Sequence, residues 1–128
     1  MRLLRILIVM LAAPLALPFA QAPAAELMMY RRDGCPYCAA WDREVGPGYN
    51  NSNFGKVAPV RMVDVHGARP QVALKSRIVY TPTFVLVDDG REVGRIEGYS
   101  SNDFFYGMIA RLIGQLPPAA QSGLSASH

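Results

Sequence analysis

Cys35 and Cys38 are the only two cysteines in the chain, and Pro36-Tyr37 separates them. A sulfur attacks only as a thiolate. The first turn of a helix, with its unpaired N–H groups and its dipole, favours that anion. A second sulfur three residues on lies about one turn further along the same face, where it can close a ring with the first. Neither cysteine has another to pair with, so each is the other's natural partner. Two further readings fit the same spacing. A permanent disulfide around so short a loop stabilises a fold by only roughly 2 kcal/mol in the chain-entropy model. A zinc site needs about four ligands, and His66 and His128 make a poor complement. Spacing alone leaves these readings open while favouring a redox dithiol, with no metal.

The elements that position such a pair are a strand before it and a helix beginning at it. Glu26 to Arg31 reads as the strand, Asp33-Gly34 breaks it, and Cys35 to Val45 reads as the helix. Pro36 suits the first turn, where the N–H is unpaired anyway. Cys38, Trp41 and Val45 make one apolar stripe, so Trp41 reads as core. Gly46 to Pro59 is a 14-residue stretch rich in Gly, Asn and Pro. It reads as a long loop at the end of the sheet away from Cys35.

Val60 to Val65 is the next strand. Arg69 to Arg77 is read as a short helix with Val72 and Ala73 inward and Lys75 and Arg77 outward. Thr83 to Val87 is apolar throughout, hence a central strand. Asp88-Asp89-Gly90 signals a hairpin leading to Glu92–Glu97. Ser100 and Asp103 are spaced as a capping box. They open a final helix, Ser101 to Leu116, with Phe104, Phe105, Met108, Ile109, Leu112 and Ile113 on one apolar face. The order β-α-β-α-β-β-α defines an α/β fold. A right-handed crossover makes the first two strands parallel neighbours. The hairpin completes a central four-stranded mixed sheet, with helices on both faces.

The chain has 128 residues and a formal net charge of +3. Met1 to Arg5 is basic, Ile6 to Leu17 is apolar, and Ala22-Pro23-Ala24 offers a cleavage site. This is the pattern of a secretory signal over residues 1–24, with Ala20-Gln21-Ala22 as a second site. The apolar run is short of the ~20 residues that span a bilayer, so no stable membrane anchor is expected. Without the leader, eleven basic residues face ten acidic ones, a charge of +1. No basic patch interleaved with aromatics points to nucleic acid. Residues 25–117 form the expected domain, and 118–128 read as a disordered C-terminal tail. Export to the periplasm puts the cysteines in an oxidising compartment.

The chain resembles the thioredoxin superfamily over nearly all of its mature length. Three features carry the resemblance: Cys35-Pro36-Tyr37-Cys38 after a strand, Tyr80-Thr81-Pro82-Thr83 before the central hairpin, and Phe84 to Val93 followed by Gly98 and an amphipathic helix. The resemblance implies a thioredoxin-like fold with Pro82 cis against the cysteines and Thr81 offering backbone groups to a bound peptide. It implies a protein thiol–disulfide oxidoreductase with Cys35 exposed and attacking, Cys38 resolving, and Pro36 and Tyr37 beside the client. Small exported relatives serve bacterial sulfur-oxidation systems, so a client of that kind is implied too.

The tetrapeptide is similar to that of glutaredoxins and the second half to that of thioredoxins. Tyr99 stands where glutaredoxins carry a second glycine for glutathione. Gly34 and Met29 stand where thioredoxins carry a tryptophan and a buried acid, so proton transfer falls to water or another group. His66 ends the second strand at the same sheet edge as Cys35 and reads first as a solvent-exposed histidine. Arg31 and Arg32 read first as solvated charge, with support for the Cys35 thiolate as the alternative.

No cofactor is implied, since the two sulfurs carry the electrons. The partners implied are client protein thiols or disulfides and a membrane-linked electron donor or acceptor, acting on a monomer. A disulfide reductase is the favoured activity. An oxidase or isomerase, and a binding module with a structural disulfide, are the competitors.

Overall fold

The computed structural model describes residues 25–124. The expected signal segment and the last four residues of the expected tail lie outside them. Strands β1 (Ala25–Arg31), β2 (Val60–Asp64), β3 (Thr83–Asp88) and β4 (Arg91–Glu97) form one sheet in the order β2-β1-β3-β4. β1 pairs parallel to β2 and antiparallel to β3, and β3 pairs antiparallel to β4. The central pair β1 and β3 is buried on both faces along the apolar runs Leu27 to Tyr30 and Phe84 to Val87.

One face is covered by helices α1 (Pro36–Glu44) and α4 (Asn102–Ile113). Its core is aromatic. Phe105 sits 4.8 Å from Phe84, 5.8 Å from Trp41 and 5.9 Å from Tyr49, centroid to centroid. Trp41 is fully buried, as its place in the apolar stripe implies.

α4 departs from its expected face and start. Phe104 is exposed, and Leu116 is buried instead. The buried stripe of α4 is Phe105, Ile109, Leu112 and Ile113, and Phe104, about 100° before Phe105, falls outside it. The cap is Ser101, whose Oγ accepts the Phe104 N–H, and not Ser100.

The segment from Gly46 to Pro59 is not a loop. It holds α2 (Gly46–Tyr49) and α3 (Asn53–Val57). Ser52 caps α3 by accepting the Gly55 N–H at 3.0 Å, and the buried Tyr49 hydroxyl donates to Ala58 O at 3.0 Å. Helices of four and five residues are too short to show a hydrophobic period. A Cβ on Gly55 would lie 2.6 Å from Asn50 Cα and closer still to the Tyr49 carbonyl oxygen. Backbone cannot swing aside as a side-chain tip can. Gly55→Ala is therefore expected to cost at least ~2 kcal/mol in denaturant unfolding, through overpacking.

Residues 118–124 correct the disordered-tail expectation. They form a 3-10 helix (Pro118–Leu124) whose Ala120 and Leu124 pack against the aromatic core. The Gln121 side-chain amide donates to Leu116 O and anchors it.

Among the described residues the second face carries no helix. Arg69 to Arg77 runs as an extended strap, which overturns the expected short helix. Val72 and Leu74 turn inward with period two, and Ala73 is exposed. The strap's backbone is satisfied by the hairpin instead of by itself. Ala73 N donates to Gly90 O at 2.9 Å, and Glu92 N donates to Ala73 O at 3.1 Å. With Ile78, these residues cover Met28, Tyr30, Val63, Val85 and Val87.

Glu92 holds the strap down. Its carboxylate accepts the Lys75 backbone N–H at 2.8 Å and two Arg95 N–H groups at 2.7 and 2.8 Å. Arg95 in turn donates to the Ser76 and Arg77 carbonyls. Hydrogen bonds from Arg95 hold the Glu92 carboxyl below its ordinary range, against desolvation. A depressed carboxylate stabilises the fold above its unfolded pKa, and that contribution is lost as pH falls through the folded value. Glu92→Gln is expected to lose about 2 kcal/mol at neutral pH, since Arg95 loses its two charge-assisted bonds and keeps only the more distant Glu97 carboxylate, at 3.6 Å. Urea titrations at several pH values would show variant and wild type converging below pH ~4.

A candidate redox active site

Gly34 makes the turn from β1 into α1 at φ +69°, a conformation that favours glycine. Cys35 follows with extended backbone and caps α1 with its own sulfur, which accepts the Cys38 N–H at 3.2 Å. The first turn of α1 contains no acidic residue. The positive end of the helix is therefore directed at the Cys35 sulfur with no carboxylate competing for it. That environment stabilises a thiolate.

Cys35 and Cys38 are joined in a disulfide with Cα atoms 5.3 Å apart. Cys38 is wholly buried in the core cluster that holds Met29 and Trp41. Cys35 was expected to be exposed, yet only 6 % of its surface reaches solvent. The loop before β3 closes over it: Cys35 Sγ lies 3.5 Å from the Thr81 carbonyl oxygen. A client must therefore reach a narrow opening at the sulfur and not a projecting side chain.

The Thr81–Pro82 peptide bond is cis, as the resemblance implies. The loop around it is tied on three sides. Thr83 Oγ1 donates to Tyr80 O at 2.7 Å, Gly98 N donates to Pro82 O at 2.7 Å, and Arg32 Nε donates to Thr81 Oγ1 at 3.3 Å. A depression of about 470 Å³ lies between this loop and the start of α1. Cys35, Pro36, Tyr37 and Thr81 line it, whereas Pro82 is buried behind them. His66 lines it too, exposed at the end of β2. Tyr37, Val79 and Tyr80 are 62, 58 and 59 % exposed around it, an apolar rim that a soluble domain does not otherwise need.

The two arginines before the motif part ways. Arg31 is held by Asp42 of α1 in a two-bond pair at 2.8 and 2.7 Å, so its charge is spent on fastening β1 to α1. Arg32 stays at the opening. Met29, which stands where the resemblance implies a buried acid, is fully buried. Glu92 is the one buried carboxylate among the described residues. It lies on the opposite sheet face, opposite Val87 and bonded to Arg95. No carboxylate is thus available behind Cys38.

The sequence reading gave four residues no place in building the site. Val79 and Tyr80 form much of the rim; two apolar residues directly before Thr81-Pro82 were the available signal. Tyr99 and Glu44 fix α1 from behind. The Tyr99 hydroxyl donates to Glu44 Oε2, and burial together with that bond pushes Tyr99 up to about 12. Fifty-five positions separate the two, so no local pattern reports the contact.

Among the described residues no helix is long and apolar enough to cross a membrane. The thioredoxin-like domain family matches residues 20–113. The periplasmic thioredoxin SoxS of Paracoccus pantotrophus, in its reduced form, is 43 % identical with a TM-score of 0.69. That match covers 71 % of this chain and 97 % of the other. Thioredoxin of Fasciola hepatica is 22 % identical with a TM-score of 0.54, covering 70 % of this chain and 81 % of its own. Thioredoxin of Malassezia sympodialis is 16 % identical with a TM-score of 0.52, covering 70 and 77 %. These last two speak to the fold alone. Among curated proteins, none matches the chain. With a dithiol at a helix start, a cis-proline loop against it and this match over most of its length, the chain belongs to the thioredoxin-like family and is a thiol–disulfide oxidoreductase acting on client protein thiols or disulfides.

Proposed function

We propose that the protein is a periplasmic reductase of client disulfides, with Cys35 as nucleophile and Cys38 as resolving thiol. The observation that carries this reading is the Cys35 sulfur capping α1 over a buried Cys38. In the reduced protein the Cys35 thiolate attacks one sulfur of a client disulfide. A mixed disulfide forms, and the displaced client sulfur leaves as a thiolate that takes a proton from water. Cys38, deprotonated, then attacks Cys35 Sγ and releases the second client sulfur. The client gains two electrons, and the Cys35–Cys38 disulfide seen here is the product. An external dithiol must supply two electrons to begin again; a membrane-linked donor on the same side of the membrane would fill that role.

Thr81 offers its carbonyl at the opening, and Pro36, Tyr37 and Pro82 shape the ground on which an extended client segment lies. The likeness to a periplasmic thioredoxin and the leader pattern of residues 1–24 support export. That neighbour's name, SoxS, together with the sequence resemblance, supports a client in a sulfur-oxidation system. The test is the direction of turnover. With dithiothreitol as donor, insulin disulfides are expected to be reduced many times faster than without the protein. The oxidised protein is expected to be a poor source of disulfides for reduced, unfolded ribonuclease. The reverse pair of results would identify an oxidase.

A further inference from the structure

The depression at Cys35 is asymmetric in charge as well as in shape. Its charged or chargeable lining, apart from the disulfide and the tyrosine hydroxyls, is Arg32 and His66. No carboxylate lines it among the described residues. The nearest acids lie outside it: Asp64 Oδ1 accepts the His66 backbone N–H at 2.8 Å, and Asp33 lines a neighbouring depression that shares Arg32 and Cys35 with this one. Asp42 is neutralised by Arg31. Among the described residues Arg32 spends only its Nε–H, on Thr81 Oγ1, which leaves the outer N–H groups of the guanidinium to a ligand. The aromatic rim of Tyr37 and Tyr80 stands beside this positive edge.

We infer that the site selects client segments whose cysteine is closely followed or preceded by a carboxylate, received by Arg32 with His66 as a second donor. The inference rests on the reductase reading and names the substrate class of that same site. An arginine at a groove edge attracts carboxylates in a fork geometry and raises the encounter rate of acidic partners. It repels lysine-flanked segments at the same place. A permanent charge at the opening also favours the anionic sulfur on either side of the exchange.

The experiment uses three model disulfides, each a short peptide whose single cysteine is bonded to the same small thiol. Glutamates, glutamines or lysines flank the cysteine in turn. The full-length protein is assayed for kcat/KM on each, at low and at high salt. At low salt the glutamate peptide is expected to exceed the lysine peptide by ~10-fold or more, with the glutamine peptide between them and the spread shrinking in salt. Arg32→Glu is expected to invert the order. Arg32→Lys keeps the charge but loses the Nε–H bond to Thr81; it is expected to retain the wild-type order, which a purely structural Arg32 would not. His66→Gln is expected to narrow the spread by less than Arg32→Glu does. Equal rates on all three peptides, or an order unchanged by Arg32→Glu, would overturn the inference and leave the reductase reading standing. No turnover of the glutamine peptide would instead count against the reductase reading itself.

Discussion

Cys38→Ser is expected to accumulate a covalent adduct with a disulfide substrate, and Cys35→Ser none. Insulin incubated with each reduced variant and quenched in acid provides the measurement, by non-reducing mass spectrometry. The reason is the unequal burial of the two sulfurs. Cys35 reaches solvent at the Thr81 opening, whereas Cys38 is wholly buried beneath it. Only Cys35 can be struck by or strike a client, and only Cys38 is placed to release it. With Cys38 replaced by serine, the mixed disulfide has no resolving thiol. Turnover in the dithiothreitol-coupled assay is expected to fall to the uncatalysed background for Cys35→Ser. Equal adducts from both variants would mean that the two sulfurs are interchangeable, and the helix-capping argument would fail.

Phe105→Ala is expected to cost about 3–5 kcal/mol, the largest stability loss of any single truncation considered. Its ring touches Phe84, Tyr106, Trp41, Tyr49 and Tyr99, with centroids 4.8 to 6.3 Å apart. The cavity opens between α4, the sheet and α1, whose first turn holds the dithiol. Small domains have only ~5–15 kcal/mol in reserve. Guanidinium unfolding of the oxidised protein would measure the loss, and Phe105→Leu should recover part of it by filling some of the space. Phe104→Ala, one residue away and exposed, is the control expected to stay within ~0.5 kcal/mol of wild type.

Legibility followed the range of the forces involved. β1, α1, the Asp88-Asp89-Gly90 hairpin and α4 carry their signals within a few residues: an apolar run, a period, a turn. The strap from Arg69 to Arg77 does not. Its backbone is satisfied by Gly90 and Glu92, and what the hairpin offers cannot be seen in residues 69–77. Pro70 and the alternation of Val72 and Leu74 were the only local hints. α2 and α3 were missed because Tyr49 and Gly55 gain their meaning from contacts with Ala58 and with each other's backbone. The packing of residues 118–124 rests on the core cluster and on the approach of Gly123 to Val57 of α3, which no reading of Ala119 and Ala120 discloses.

The site divides in the same way. The cysteine pair is legible from its spacing alone, and the Thr81-Pro82 loop through the family resemblance. The concealment of Cys35 arises where those two motifs meet, forty-six positions apart. The diversion of Arg31 to Asp42 likewise needed the angle between β1 and α1. Arg32 kept its place at the opening because its neighbour, and not it, faces the helix.

The reduction potential of the Cys35–Cys38 pair is the measurement that bears most directly on the proposed reductase. Equilibration of the protein in graded dithiothreitol buffers, followed by alkylation and mass spectrometry, gives it without knowledge of the client. A value near the thioredoxin range, ~−270 mV, is the predicted result, since the pair must then pass electrons to client disulfides. A value above about −180 mV would contradict the account, for such a pair draws electrons from client thiols and makes disulfides.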